Sequence, residues 1–224
     1  MSDAKRRAAE AALELLPQGG IIGLGTGSTA TLFIDGVGRL VKEGRKLVGV
    51  PTSAQSHAQA ERLGIPLLDP NGPWDIVMTV DGADEVSAEL DLIKGGGACH
   101  AREKIVAAAS KQNVIVVDES KMSKQLGERW AVPVEVLDFG HAATAALLSG
   151  YGKPVLRVKD GKQVRTDSGN PIYDLNAGVI ANPAELESAL SLLPGVVETG
   201  LFVGRATTVL VAGDGGVRRL DRPS

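Results

Sequence analysis

The chain reads as an α/β protein with a doubly wound, mostly parallel, Rossmann-like sheet and a smaller inserted α+β domain of ferredoxin-like type. Three observations carry that expectation. Short, wholly apolar runs at 21–24, 76–80 and 114–117 are the kind of strand buried on both faces of a parallel sheet. Segments of helical period follow the strands through short links, the rhythm of repeated β-α units. From Val132 that rhythm changes to the β-α-β-β-α-β succession of a ferredoxin-like unit. The expected division is a Rossmann-like domain over 1–130, completed by 204–224, and a ferredoxin-like domain over 131–203 that serves as a cover or an oligomer contact.

Taken in order, Ser2 or Asp3 caps a first helix in which Ala8, Ala11, Ala12, Leu15 and Leu16 recur at helical spacing. Pro17, Gly19 and Gly20 end it. Strand 21–24 runs into a turn rich in glycine and hydroxyls. Strand 47–50 precedes a helix capped by Thr52 or Ser53 and closed around Leu63, Gly64, Ile65 and Pro66. Strand 76–80 delivers Asp81 at its carboxyl end, the edge where open α/β sheets bind ligands. Residues 98–110 are expected to be helical, with Ala101, Ile105, Ala108 and Ala109 facing inward and Glu103 off that stripe. His57 and His100 are assigned to the surface, and Cys99 to packing. Strand 114–117 leads to Asp118 and Lys121.

The second rhythm begins with strand 132–136, helix 141–148 and strand 155–158. A hairpin turn at Asp160 and Gly161 leads to strand 163–166, and a turn at 168–170 leads to strand 172–175. A helix over 183–193 has Asn182 as its cap and Pro183 at its first position. Strand 196–202 ends the insert, and strand 207–212 returns to the first sheet.

Composition excludes several classes. The 24 basic and 27 acidic residues leave a net charge of −3, which argues against a nucleic-acid or acidic-membrane surface. One cysteine, Cys99, forbids an internal disulfide and fits a reducing compartment. No run of 18 apolar residues is present, and Glu10 and Glu14 interrupt the N-terminal apolar face, unlike a signal peptide. The expectation is a cytoplasmic protein.

Two common nucleotide motifs fail at residues 23–29. The dinucleotide fingerprint needs glycine where Ser28 stands, and a Walker loop needs a lysine that is missing. What remains is a helix N-terminus lined by Thr26, Gly27, Ser28 and Thr29, suited to an anion. Asp81, Gly82, Ala83, Asp84 and Glu85 read as a turn with capping carboxylates, as a metal site, or as acceptors and a proton relay for a polyhydroxy substrate. For metal, His57, His100 and His141 show no ligand spacing. Lys94 feeds Gly95, Gly96 and Gly97, a loop whose backbone can approach a ligand closely.

These blocks together resemble the type A family of ribose-5-phosphate isomerases. The resemblance rests on residues 25–30, 81–85, 94–97 with 102–104, and 118–121, and extends through 133–136, 194–197 and 200–202. It implies interconversion of D-ribose 5-phosphate and D-ribulose 5-phosphate without metal or cofactor, by a homodimer or homotetramer. It implies Glu103 as the proton acceptor, and substrate contacts at Thr26–Thr29, Asp81–Asp84, Lys94–Gly97 and Lys121. The isomerisation passes a proton between C2 and C1 through a cis-enediolate, which needs one positioned base and donors for the oxyanion. Lys94 and the glycine amides are candidates for the donors, and Asp81 or Asp84 for ring opening. Two other classes share this architecture. A sugar-phosphate effector domain needs a DNA-binding module, and only about 20 residues precede the first strand. A CoA-transferase-like enzyme would use a glutamate nucleophile.

Overall fold

The computed structural model describes residues 3–223; Ser2, one of the two expected caps of the first helix, lies outside them. The chain begins with α1 (Asp3–Glu14), β1 (Gly19–Leu24), α2 (Ser28–Lys42), β2 (Lys46–Pro51), α3 (Ala54–Leu63) and β3 (Ile76–Asp81). Short strands β4 (Glu85–Val86) and β5 (Leu92–Ile93) precede α4 (His100–Ala108) and β6 (Ser110–Asp118), which ends in a 3-10 turn, Glu119–Lys121. Next come β7 (Val132–Val136), α5 (His141–Leu148), β8 (Lys153–Leu156), β9 (Val158–Lys159) and β10 (Lys162–Gln163). The chain closes with β11 (Ile172–Asn176), α6 (Pro183–Ser191), β12 (Val196–Thr199), β13 (Leu201–Phe202), β14 (Thr208–Gly213) and β15 (Gly216–Asp221).

Two compact units emerge. The first comprises Met1–Gly82, Arg102–Lys121 and Arg205–Ser224, and the second Ala83–Ala101 and Met122–Gly204. The expected ferredoxin-like segment, 131–203, falls within the second, which also takes in 83–101 and 122–130.

The first unit is built on a six-stranded sheet of order β15-β14-β6-β3-β1-β2, parallel except for the antiparallel edge β15. Helices α1, α2 and α3 cover one face, closing a core around Ile22, Leu24, Phe33, Ile34, Val80 and Val116. Gly36 brings α2 close to α1, since a Cβ there would sit 2.2 Å from Leu13 Cδ1. α3 starts in a capping box, Ser53 with Ser56, and ends on left-handed Gly64, so both ends satisfy their orphan backbone groups locally. α4 covers the other face, where Val106 packs with Val50 and Ile76. Because β1 lies between β2 and β3, the strand order reverses at β1/β3. The crevice at the carboxyl ends of such a pair is the ligand edge of an open α/β sheet.

The second unit carries a four-stranded antiparallel sheet of order β12-β7-β11-β8. Numbered along the chain these strands run 4-1-3-2, with α5 after the first and α6 after the third, the ferredoxin-like arrangement. Val134, Val136, Leu148, Leu175 and Leu190 fill its core. A three-stranded sheet, β13-β5-β4, belongs to the same unit. Asp160 and Gly161, both at positive φ (51° and 73°), make the β9–β10 hairpin turn.

Several expectations are corrected. The expected strand 155–158 is broken at Arg157 between β8 and β9, and of 163–166 only Gln163 lies in a strand, the end of β10, with Arg165 in an isolated bridge to Pro171. The expected strand 196–202 is cut at Gly200, its two pieces joining different sheets. The largest correction concerns α4. It ends at Ala108, and Ser110 already belongs to β6. Ile105 is 57% exposed, whereas Glu103 and Lys104 are each 4% exposed and Val106 is buried. His100, assigned to the surface, is fully buried. Reading apolar positions as the inward face fails here because this helix buries ionisable side chains and leaves an isoleucine outside.

Candidate active site

In the first unit, the turn after β1 and the end of β3 form one hydrogen-bonded group. Gly25 N–H donates to Val80 O at 3.0 Å, continuing the β1/β3 ladder. The buried Asp81 carboxylate accepts from Thr26 N at 3.0 Å and from Gly82 N at 2.8 Å through Oδ1. A side chain at position 25 is sterically barred, as a Cβ would lie 2.4 Å from Asp81 Oδ1 and 2.5 Å from Val80 O.

Gly27, at φ 111°, is the N-cap of α2 and supplies no side-chain cap. The first N–H groups of a 15-residue helix therefore face an open rim lined by hydroxyls, an arrangement that favours an anion. Thr26 Oγ1 lies 2.8 Å from Thr52 Oγ1 and donates to Ser53 Oγ at 2.8 Å. Lys5 Nζ, from α1, donates to Ser28 Oγ at 2.9 Å, adding a cation that sequence reasoning missed; the only signal was a lysine in a helix with five other charged residues. Lys121 closes the 3-10 turn after β6, half-buried, with Asp118 accepting from Ser120 N at 3.0 Å to set the turn.

Glu103 stands in the first turn of α4. α4 passes into β6 through Ala109 alone, so its last turn lies at the amino edge of the sheet and its first turn points toward the carboxyl edge. Gly23 admits the helix, since a Cβ there would come within 2.8 Å of Val106 Cγ1. Glu103, three residues before Val106 and on the same face, lies about 4.5 Å further along the helix axis. Gly25 lies two residues beyond Gly23, about 6.6 Å along the strand. The buried carboxylate therefore sits close to the level of the strand end that carries Gly25 and Asp81.

In the second unit, Asp84 and the glycine loop form another group. Asp84 N donates to Ile93 O at 2.9 Å, and Asp84 Oδ2 accepts from Gly96 N at 2.7 Å. Gly95 has φ 107°, a region that only glycine enters cheaply. Lys94 is 4% exposed; its N–H donates to Gly200 O at 2.8 Å, and its ammonium stands 5.4 Å from the Phe202 ring centroid, a cation–π distance. His100 is buried behind the loop, its Nε2 3.3 Å from Glu198 O.

Two further features take their roles from the structure: Glu85, read in the sequence only as part of the 81–85 turn, and Arg157, which the sequence reading missed. Glu85 is a buried carboxylate that accepts from the N–H groups of Gly127, Arg129 and Trp130 at 3.0–3.2 Å, so it anchors that segment and is not available to a ligand. Arg157 Nη1 donates to Gly95 O at 2.6 Å while its guanidinium forks onto Asp174. No short motif joins these positions, because β-strand register, not sequence proximity, brings them together. Among the described residues no group of three histidine, cysteine or acidic side chains is arranged to hold a metal ion, and no helix is long and apolar enough to cross a membrane.

An anion-ready helix terminus at the switch point of a parallel sheet, beside a buried carboxylate, defines an α/β enzyme that acts on a small phosphorylated substrate. Comparison with known proteins specifies the class. The family model of ribose 5-phosphate isomerase A (phosphoriboisomerase A) matches residues 48–216. A ribose-5-phosphate isomerase A from Gloeobacter violaceus is 48% identical over 218 residues, covering 96% of this chain and 95% of that protein. The solved ribose 5-phosphate isomerase A of Methanocaldococcus jannaschii superposes with a TM-score of 0.92 at 42% identity, covering 98% of each chain. A D-ribose-5-phosphate isomerase solved in complex with phospho-erythronic acid gives a TM-score of 0.94 at 37% identity, covering 99% of this chain and 100% of that one. The chain belongs to the ribose 5-phosphate isomerase A family.

Proposed function

We propose that this isomerase interconverts D-ribose 5-phosphate and D-ribulose 5-phosphate with Glu103 as the single base, a step of the non-oxidative pentose phosphate pathway. The observation that carries the assignment of the base is the buried Glu103 carboxylate near the ligand edge of the first unit's sheet. Starting from the aldose, Glu103 removes the proton on C2, and the electron pair moves to give a cis-enediolate whose charge rests on O1. The same carboxylic acid then returns the proton to C1, O2 becomes the ketone oxygen and its proton passes to O1. No atom is gained or lost, and the base ends as it began. A positioned base of this type contributes about 10²–10⁴-fold.

The remaining roles follow from chemistry. Lys94 and the amides of Gly95 to Gly97 are assigned to the developing oxyanion, where preorganised donors matter most. Asp81 or Asp84 carries protons during opening of the furanose and accepts from sugar hydroxyls, with Gly82 and Ala83 in contact with the substrate. Thr26, Gly27, Ser28, Thr29 and Lys121 are assigned to the phosphate, with Lys5 added by the geometry of the α2 terminus. Phospho-erythronic acid, held by the solved relative, supports the enediolate: a phosphorylated sugar acid offers two coplanar oxygens sharing one negative charge, as the enediolate does.

The proposed setting is the cytoplasm, which suits a chain with a single thiol and a metabolic reaction. The proposed assembly is a homodimer or homotetramer. Phe139 and Leu192, 95% and 84% exposed on the ferredoxin-like unit, support an oligomer contact there.

Replacing Glu103 with Gln tests the central role, because the amide keeps size and hydrogen bonding and removes the base. The expected result is a kcat about 10²–10⁴-fold lower with KM little changed. Turnover near the wild-type level rejects Glu103 as the base.

A further inference from the structure

We propose that Arg157 and Asp174 are a positioning pair that sets the Asp84 carboxylate through the Gly95–Gly96 peptide. The inference rests on the assignment of Asp84 to the substrate site. Its basis is a single peptide group held at both ends by charge. The carbonyl oxygen of that peptide, Gly95 O, accepts from Arg157 Nη1 at 2.6 Å. Its N–H, that of Gly96, donates to Asp84 Oδ2 at 2.7 Å. A cation on the oxygen and an anion on the N–H polarise the amide in the same sense, so each bond strengthens the other. Asp84 cannot rotate without giving up the N–H, and the peptide cannot flip without giving up Arg157.

The guanidinium itself has little freedom. Nε donates to Asp174 Oδ2 at 2.9 Å and Nη2 donates to Asp174 Oδ1. This fork fixes the plane of the group and leaves Nη1 to meet Gly95 O. The backbone of Arg157 sits in the break between β8 and β9, yet it is tied on both sides. Its N–H donates to Ile172 O at 2.9 Å, and its carbonyl accepts from Val164 N at 3.0 Å. The Arg157 and Asp174 side chains are 14% and 30% exposed, so water screens the pair less than it would a surface bridge. A sheet clamp alone would need only the fork to Asp174. The third bond, to a glycine carbonyl whose own backbone sits at φ 107°, is what extends the pair to the loop. Lysine could hold one of these partners as a point charge, but it lacks the planar fork that holds both.

A cavity of about 300 Å³ lies against the pair, lined by Gly96, Arg129, Trp130, Ala131, Arg157 and Asp174. It gives a small planar cation a route to Asp174 once the arginine is removed, which makes chemical rescue the natural test. Arg157→Ala is expected to lower kcat for ribose 5-phosphate about 10²-fold, the penalty typical of a reacting group displaced by about 1 Å. Guanidinium chloride at about 50 mM, far below denaturing levels, is expected to restore about tenfold of that loss. Methylammonium, with no fork, should restore nothing, and Arg157→Ala/Asp174→Ala should not respond to guanidinium. A merely structural clamp would not return activity on adding an ion at a constant melting temperature. Arg157→Lys covers the case in which the alanine variant fails to fold: about tenfold lower kcat supports the pair, and wild-type kcat overturns it. The pair is also overturned if Arg157→Ala folds and keeps wild-type kcat, or folds and is not rescued. Asp84→Asn run alongside separates the two levels. Its wild-type turnover would remove Asp84 from the site and the inference with it, whereas an impaired Asp84→Asn beside an unaffected Arg157→Ala rejects the positioning pair alone.

Discussion

Gly25→Ala is the sharpest test of how the strand ends are locked in the first unit. The added methyl would lie 2.4 Å from Asp81 Oδ1 and 2.5 Å from both Asp81 Cγ and Val80 O. Ordinary contact between carbon and oxygen needs about 0.8 Å more, so either the turn after β1 or the Asp81 carboxylate must move. Overpacking of this kind costs about 1–3 kcal/mol. Loss of the hydrogen bond from Thr26 N to the Asp81 carboxylate costs about 1.5–3 kcal/mol more. The sum, about 2.5–6 kcal/mol, corresponds to a fall in Tm of about 5–24 °C for a chain of this length. A melting curve followed by circular dichroism reads the stability, and KM for ribose 5-phosphate reads the turn, which should bind its substrate more weakly. Gly215→Ala is the control: nothing lies within 4 Å of a Cβ there, and a change of less than about 1 kcal/mol is expected. If Gly25→Ala melts within about 2 °C of the parent and keeps its KM, the close packing of the turn on Asp81 is wrong.

Four other substitutions probe separate parts of the fold. Gly96→Ala would place a methyl 2.7 Å from Asp84 Oδ1; kcat should fall at least tenfold with Tm lowered by only a few degrees, about 2–4 °C per kcal/mol of strain, and unchanged turnover counts against the Asp84 contact. Glu85→Ala strips three backbone N–H groups of their acceptor, so urea unfolding should show a loss of about 3 kcal/mol or more. On α4, Val106→Ala should cost about 2 kcal/mol, while Ile105→Ser, at an exposed position, should stay within about 0.5 kcal/mol of the parent; the reverse order would restore the apolar stripe read from the sequence.

Much of the fold is legible in the sequence because parallel strands buried on both faces leave unbroken apolar runs. Residues 76–80 and 114–117 lie within β3 and β6, and 132–136 and 141–148 coincide with β7 and α5. The two-residue strands β4, β5 and β13 are too short to show any period. The edge strand β15 hides behind Arg218 and Arg219, charges of the kind that protect an edge from further pairing. Hydrophobic period assigns α4 the wrong face because it presumes that burial follows apolarity, and here Glu103 and Lys104 are buried while Ile105 is not. In the candidate site, the glycines and hydroxyls at 25–29 and the carboxylates at 81 and 84 stand out by type and by position at strand ends. Lys5, Arg157 and Asp174 do not, since each acquires its partner through packing of elements distant in sequence.

Hydrogen exchange in heavy water addresses the chemistry most directly. Ribulose 5-phosphate is incubated in ²H₂O with the parent protein and with Glu103→Gln at equal concentration, and loss of the C1 proton signal is followed by NMR. Exchange catalysed by the parent and slowed at least about 10²-fold in the variant is the expected result. Deuterium entering C1 at the parental rate in Glu103→Gln would mean that another group moves the proton.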